Sequence, residues 1–229
     1  MNNLYLLLIS FAYVLVVLVI GSVIARKQKK NSELSRKVIH ILVGNWVFIT
    51  PFFTELWAVL AVPLAFVFIN TISLKVKLIP AMERNDNSLG TVYYAISLVV
   101  LSGVSFILKW PQLVFIGVLV LAYGDGLAAL IGQKYGKKSL VIAPSKTLTG
   151  SLTVLVVAFV VTLMTQLIFP VSSLSIWNML LIALLTALFA PIIELAGTKG
   201  CDNLSLPIGT GLFATILIHY YSNSLIFYT

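Results

Sequence analysis

The stretch AYGDGLAALIGQKYGKK, residues 122–138, puts one carboxylate, Asp125, inside an apolar, helix-like run with lysines just past its end. A carboxylate at membrane depth is costly and faces the protein interior, a cavity or an ion, which makes Asp125 a candidate for chemistry. Gly124 and Gly126 flank it and let the backbone approach a ligand closely, with amides free to face an anion. A second stretch, APSKTLTGSLT, surrounds Lys146 with Ser145, Thr147, Thr149 and Ser151, and Gly150 stands at the start of the next apolar run. Hydroxyls and a glycine at a helix start expose amides to an anion, and the lysine adds a point charge. The same residues also suit an ordinary helix cap. A third stretch, IIELAGTKGCDNLSLPIGTG, supplies Glu194, Asp202 and Asn203. These are hard oxygen donors of the kind Mg2+ takes when it also holds phosphates. In a fourth, SRKVIHILVGNW, Arg36 and His40 share a helix face with Lys37 beside them. His40 reads as a phosphate contact or proton carrier, or as a capped histidine at the membrane edge. The chemistry these types support is the handling of metal-bound phosphate. It is not a Walker loop, because GxxxxGK[ST] is absent, and the single Cys201 with no His/Cys cluster argues against zinc and intramolecular disulfides.

The elements that carry these residues are apolar. Of 229 residues, 60% are hydrophobic and 10% charged, too little polar surface for a soluble domain of this size. A helical span needs roughly 20 apolar residues. Eight windows meet or approach this, at about 4–25, 38–53, 55–73, 90–108, 111–131, 150–169, 174–195 and 205–226. The second is short and the last partly polar, so the count is about eight, with seven as the lower reading. Loops between them are short. We expect an all-α polytopic membrane protein with one membrane-embedded domain over residues 1–229. The first window follows MNN, with no basic residue and no small-residue cleavage site, and is expected to be a span, not a signal peptide.

Charge orients the chain. Arg26, Lys27, Lys29 and Lys30 follow the first span, which sets its N-terminus outside. Threading eight spans from there puts every lysine and arginine except Lys109 in cytoplasmic loops or at their edges, including Lys75, Lys77, Arg84, Lys134, Lys137, Lys138 and Lys199. The net charge of +8 then belongs to loops facing anionic lipid or anionic ligands, and nucleic acid is not needed. Of the acidic residues only Glu55 falls outside, while Glu33, Glu83, Asp86, Asp125, Glu194 and Asp202 gather at the inner side. Ala128, Gly132 and Gly136 have the small-xxx-small spacing of close helix packing, and Gly209 and Gly211 invite the same reading. Pro207 reads as helix-initiating, Asn85 to Asn87 with Gly90 as a polar turn, Tyr93 and Tyr94 as interface anchors, and His219 as structural.

In this order the segments resemble a family, the lipid alcohol kinases that include dolichol kinase, phytol kinase and the CTP-dependent diacylglycerol kinase of yeast type. The matching segments are RKVIH, LGTVYY, GDGLAALIGQKYGKK, SKTLTGS and, after Glu194, DNLSLP, covering about Ser35 to Pro207. The resemblance implies transfer of the terminal phosphoryl group of CTP, or another nucleoside triphosphate, to the hydroxyl of a prenol-type alcohol or diacylglycerol. It implies Mg2+ as cofactor, and an active site at the cytoplasmic face of the plasma (inner) membrane. Asp125 and Asp202 are then expected at the metal, with Asn203 assisting. Lys146, Ser145, Thr147, Gly124, Gly136, Arg36, Lys37 and Asn203 are expected around the nucleotide. Asp125, Glu194 or His40 would take the hydroxyl proton. The segments are also similar to those of phosphatidate cytidylyltransferases, whose longer, charged C-terminal signature is missing after Asp202. Two other readings stay open: CDP-lipid synthesis, and transport or flipping of an anionic lipid. The residues do not name the alcohol, decide CTP against ATP, or give the oligomeric state.

Overall fold

The computed structural model describes residues 2–27, 33–76, 88–137, 139–140, 143–197 and 200–224, with Ser145, Asn223 and Ser224 described in their backbone alone. The readings made for Lys29, Lys30, Lys77, Glu83, Arg84, Asn85, Asp86, Asn87, Lys138 and Lys199 fall outside these residues.

The expected all-α architecture is what the chain builds. In order come α1 (Asn3–Lys27), α2 (Glu33–Gly44) running into a 3-10 helix (Asn45–Phe52), α3 (Leu56–Val76) and α4 (Gly90–Leu108). Next are α5 (Pro111–Leu119), a π-helical turn (Val120–Asp125) and α6 (Gly126–Tyr135). A two-stranded hairpin, β1 (Ser139–Leu140) and β2 (Ala143–Thr147), precedes α7 (Leu148–Ile168), α8 (Ile176–Ala196) and α9 (Asp202–Ser224). Seven described helices are long and apolar enough to cross a bilayer, one of them the continuous run Pro111–Tyr135.

The window expected at 38–53 is built differently. Its α2 has 12 residues and its 3-10 continuation has 8, together roughly 34 Å at rises of about 1.5 and 2.0 Å per residue. Pro51 has no N–H to give to the 3-10 ladder, and the Thr50 hydroxyl donates to the Val47 carbonyl at 2.7 Å. The segment traverses the protein all the same. Asn3, at the start of α1, donates to Thr54 Oγ1 at 2.9 Å, so the chain has returned to the end from which it set out.

The helices thus share two ends. At one, Gln112 donates to the Phe169 carbonyl and Trp110 lies against His219. At the other, Gln133 bonds Glu33, Asn203 bonds Gly90, and the hairpin joins α6 to α7. The described lysines and arginines lie toward this second, basic end, apart from Lys109, which ends α4 in the left-handed conformation at the first.

The axis is α5, whose residues from Gln112 to Leu119 are all buried, as a helix apolar on every side must be. It lies against α9 at backbone distance: a Cβ on Gly117 would come 2.4 Å from the Pro207 carbonyl oxygen, and one on Gly211 2.7 Å from that of Leu113. The packing reading of Gly211 therefore holds. Pro207, expected near a helix start, lies inside α9 because the helix begins earlier, at Asp202. A second apolar cluster, Leu6, Trp46, Phe53, Ala58, Val59 and Val62, ties α1 and α3 to the 3-10 helix. Outward faces are apolar too, among them Leu8 and Leu15 of α1 and Val156 of α7, as lipid contact requires.

Candidate active site

Asp125 closes the six-residue π-helical turn inside the Pro111–Tyr135 run. Single π turns within helices are frequent at functional sites, because they re-aim a side chain out of the regular ladder. The turn meets α2 closely: a Cβ on Gly44 would lie 2.3 Å from that of Ala122. Across this contact Lys37 Nζ stands 2.5 Å from Asp125 Oδ2, and both residues are less than a tenth exposed. Each charge is intolerable there without the other. His40, one helical turn along α2, has Nε2 at 3.2 Å from the Leu121 carbonyl and 3.4 Å from the same Asp125 oxygen. A carbonyl only accepts, so this contact calls for the proton on Nε2. Tyr94 packs its ring 4.6 Å from the imidazole and donates its hydroxyl to the His40 carbonyl at 3.0 Å.

A second cluster forms around Lys146, at the end of the hairpin. Its ammonium lies 2.6 Å from Glu194 Oε1 and 3.2 Å from Asp202 Oδ2, and it also donates to the Glu194 carbonyl. Burial alone would lower its pKa, but the two carboxylates outweigh burial and hold it above the ordinary lysine value. Glu194 is buried, and its Oε2 has no partner among the described residues. Thr147 caps α7, its hydroxyl accepting from Gly150 N at 3.1 Å.

The third contact joins two helix starts. Asn203 donates to the Gly90 carbonyl at 2.8 Å. Gly200, at φ +88°, lets the chain turn into α9 while its backbone presses on Gly90, where a Cβ would fall 2.8 Å from the amide nitrogen. Asn70 of α3 donates to the Thr91 carbonyl at 2.9 Å. Thus α2, α4, α7 and α9 all begin at the basic end, with the positive ends of their dipoles near the lysines.

One cavity of about 210 Å³ gathers most of these groups. Arg36, Lys37, His40, Asp125, Asp202 and Asn203 line it, joined by Asn70, Ser88 and Thr91, and mostly apolar side chains from α1 to α4 line the rest. Lys146 and Glu194 join it through Asp202. Arg36 is bonded to Glu33. The other expected residues have local roles. Gly124 lies against Val154 of α7, and Gly136 and Gly132 lie against Thr147, so these glycines let helix and hairpin pack. Of Ser145 only the strand backbone is described. Three residues beside the candidate site were missed as such in the sequence. Tyr94 faces inward instead of anchoring at an interface, because its helix face is turned to α2. Asn70 and Trp46 are neutral polar groups inside apolar spans, a weaker form of the signal that singled out Asp125.

Among the described residues no three His, Cys, Asp or Glu side chains stand close enough to form a metal cage. Mg2+ seldom needs one, since one or two carboxylates plus substrate phosphates usually suffice. Glu194 and Asp202, converging on one ammonium with a buried oxygen left over, fit that pattern.

The profile of the cytidylyltransferase family matches residues 1–196. The phytol kinase of Synechocystis sp. is 32% identical over 215 residues, covering 90% of this chain and 88% of that protein. Probable phytol kinase 1, chloroplastic, of Oryza sativa subsp. japonica is 28% identical over 240 residues, covering 95% and 74%. Probable phytol kinase 2, chloroplastic, of Glycine max is 29% identical over 203 residues, covering 82% and 66%. No solved structure matches significantly.

Proposed function

The chain belongs to the cytidylyltransferase family, with phytol kinases as its relatives, and from that premise we propose that it is a lipid alcohol kinase. It transfers the terminal phosphoryl group of CTP to the hydroxyl of a prenol-type membrane alcohol, at the cytoplasmic face of the plasma (inner) membrane. The observation that carries this reading is one cavity, polar where two lysine–carboxylate clusters meet it and mostly apolar within.

Phosphoryl transfer asks a protein for alignment and charge neutralisation more than for covalent help. Lys146, Arg36 and Lys37 supply positive charge to the nucleotide phosphates, aided by the starts of α4, α7 and α9. Asp202 and Asn203, with Asp125 and the spare oxygen of Glu194, are the donors for Mg2+, which when bound neutralises the phosphate oxygens. Lys146 bridges Glu194 and Asp202 without nucleotide and keeps that carboxylate pair together. Lys37 pairs with Asp125 and orients it. His40, its Nε2–H occupied by Leu121, offers Nδ1 to the alcohol proton, with Asp125 beside it to stabilise the charge that develops.

Purified protein in detergent, given γ-labelled CTP, Mg2+ and phytol, is expected to yield labelled lipid phosphate. Asp125→Asn should lower turnover at least 10²–10³-fold, the usual cost of losing a clamping charge, with its melting curve still cooperative. Full activity in Asp125→Asn would refute its role. The family's name favours one second reading, transfer of the cytidylyl group. Pyrophosphate release with phosphatidate would establish that instead, and neither product would leave lipid transport.

A further inference from the structure

We infer that the apolar part of the cavity holds one hydrocarbon chain of the alcohol, and that Trp46 at its floor limits the length of chain accepted. This rests on the kinase reading above and deepens it. The lining comes from one face of each helix: Lys37, His40, Val43 and Trp46 of the α2 segment, then Phe66 with Asn70 and Leu74 of α3, and Tyr94 with Leu98 of α4. The face starts with charge at the basic end and becomes mostly apolar inward, past Asn70 and Tyr94. Six residues separate His40 from Trp46, roughly 10 Å at helical rises. Trp46 is 1% exposed and is the last lining residue of its segment. Beyond it the space closes, where Phe53 packs 6.4 Å from the indole within the Leu6–Ala58–Val59 cluster.

The occupant follows from continuity and size. A hydroxyl at His40 and Asp125 has its carbon chain pointing inward along this wall. The volume, about 210 Å³, is below the roughly 300–1,000 Å³ of sites that enclose drug-sized ligands. That is room for a stretch of one chain and not for the two of a diacylglycerol side by side. The indole N–H has no acceptor among the described residues, so Trp46→Phe changes volume without breaking a hydrogen bond.

The experiment compares C10 and C20 prenols in wild type, Trp46→Phe, Trp46→Ala and Ala95→Leu, whose new side chain would fill the middle of the cavity. The readout is the ratio of kcat/KM values, which cancels any general loss of folded protein. Trp46→Ala should raise the C20/C10 ratio at least tenfold, Trp46→Phe less, and Ala95→Leu should lower it tenfold. Independently of turnover, a C10 alcohol with a diazirine at its chain end should label Trp46, Val62 or Leu98. Phosphorylation with unchanged ratios, or label confined to the outer faces of α7 and α8, would overturn the inference and spare the kinase reading. Label at the floor without phosphorylation of any alcohol would support this seat and overturn the kinase reading.

Discussion

Lys146 is the residue on which the proposed nucleotide side of the site depends, because among the described residues its ammonium meets two carboxylates at once. Replacing it with methionine leaves Glu194 buried and unpaired, a change that costs about 3–5 kcal/mol for a buried pair. Lys146→Met is therefore expected to melt well below wild type in detergent and to lose nearly all turnover. Adding Glu194→Gln should restore most of the stability, which would tie the loss to the carboxylate left unpaired. The pH dependence has a definite sign. The folded pKa of Lys146 is raised, so its stabilisation is fully present below the unfolded value of about 10.4 and is lost only as pH rises through the higher folded value. The gap in melting temperature between wild type and Lys146→Met should stay constant from pH 7 to about 9.5 and narrow above 10.4. Narrowing near neutrality would contradict the ion pairs.

At the scale of elements the site is a meeting of helix starts, and Gly200 is what lets two of them touch. Its φ of +88° disfavours any side chain, and a Cβ would meet Gly90 N at 2.8 Å and Ser88 Oγ at 2.6 Å. Gly200→Ala should add about 1–2 kcal/mol of left-handed strain and push α9 from α4, moving Asp202 and Asn203 together. The expected result is a KM for CTP raised at least tenfold with a smaller change in kcat, measured at saturating alcohol. Unchanged kinetics would mean that the α4–α9 contact does not set the site. The π-helical turn acts similarly on the other side: in a regular helix Asp125 would project on a different azimuth from the one that meets Lys37.

For the molecule as a whole, the segregation of charge makes orientation testable. Cys201 is exposed and lies beside Asp202 at the basic end, whereas Lys109 ends α4 at the other. A membrane-impermeant maleimide should spare Cys201 in right-side-out vesicles and label it in inside-out ones. Lys109→Cys in a Cys201→Ser background should behave oppositely. Labelling of Cys201 from outside would invert the topology and move the proposed site away from cytoplasmic nucleotide. Even traversal also matters here, since the composite of α2 and its 3-10 continuation is what brings Lys37 and His40 to the same end as Asp125.

The sequence by itself determined the class and named the candidates. Apolar length enforces helices in a bilayer, lysine and arginine segregate by side, carboxylates too costly for lipid single out Asp125, Glu194 and Asp202, and the types beside them mark Lys37 and Lys146. Those are one-dimensional signals, carried by transfer free energies that depend on residue type alone. Pairing is not of that kind. That Lys37 takes Asp125 while Lys146 bridges Glu194 and Asp202, that Tyr94 turns inward to His40, and that Trp46 closes a chain-sized cavity depend on the azimuth of each helix. Azimuth is fixed by close contacts between segments far apart in the chain, such as Gly44 on Ala122 and Gly200 on Gly90, and by the π turn that rotates Asp125 out of step. Only the packed structure holds that information.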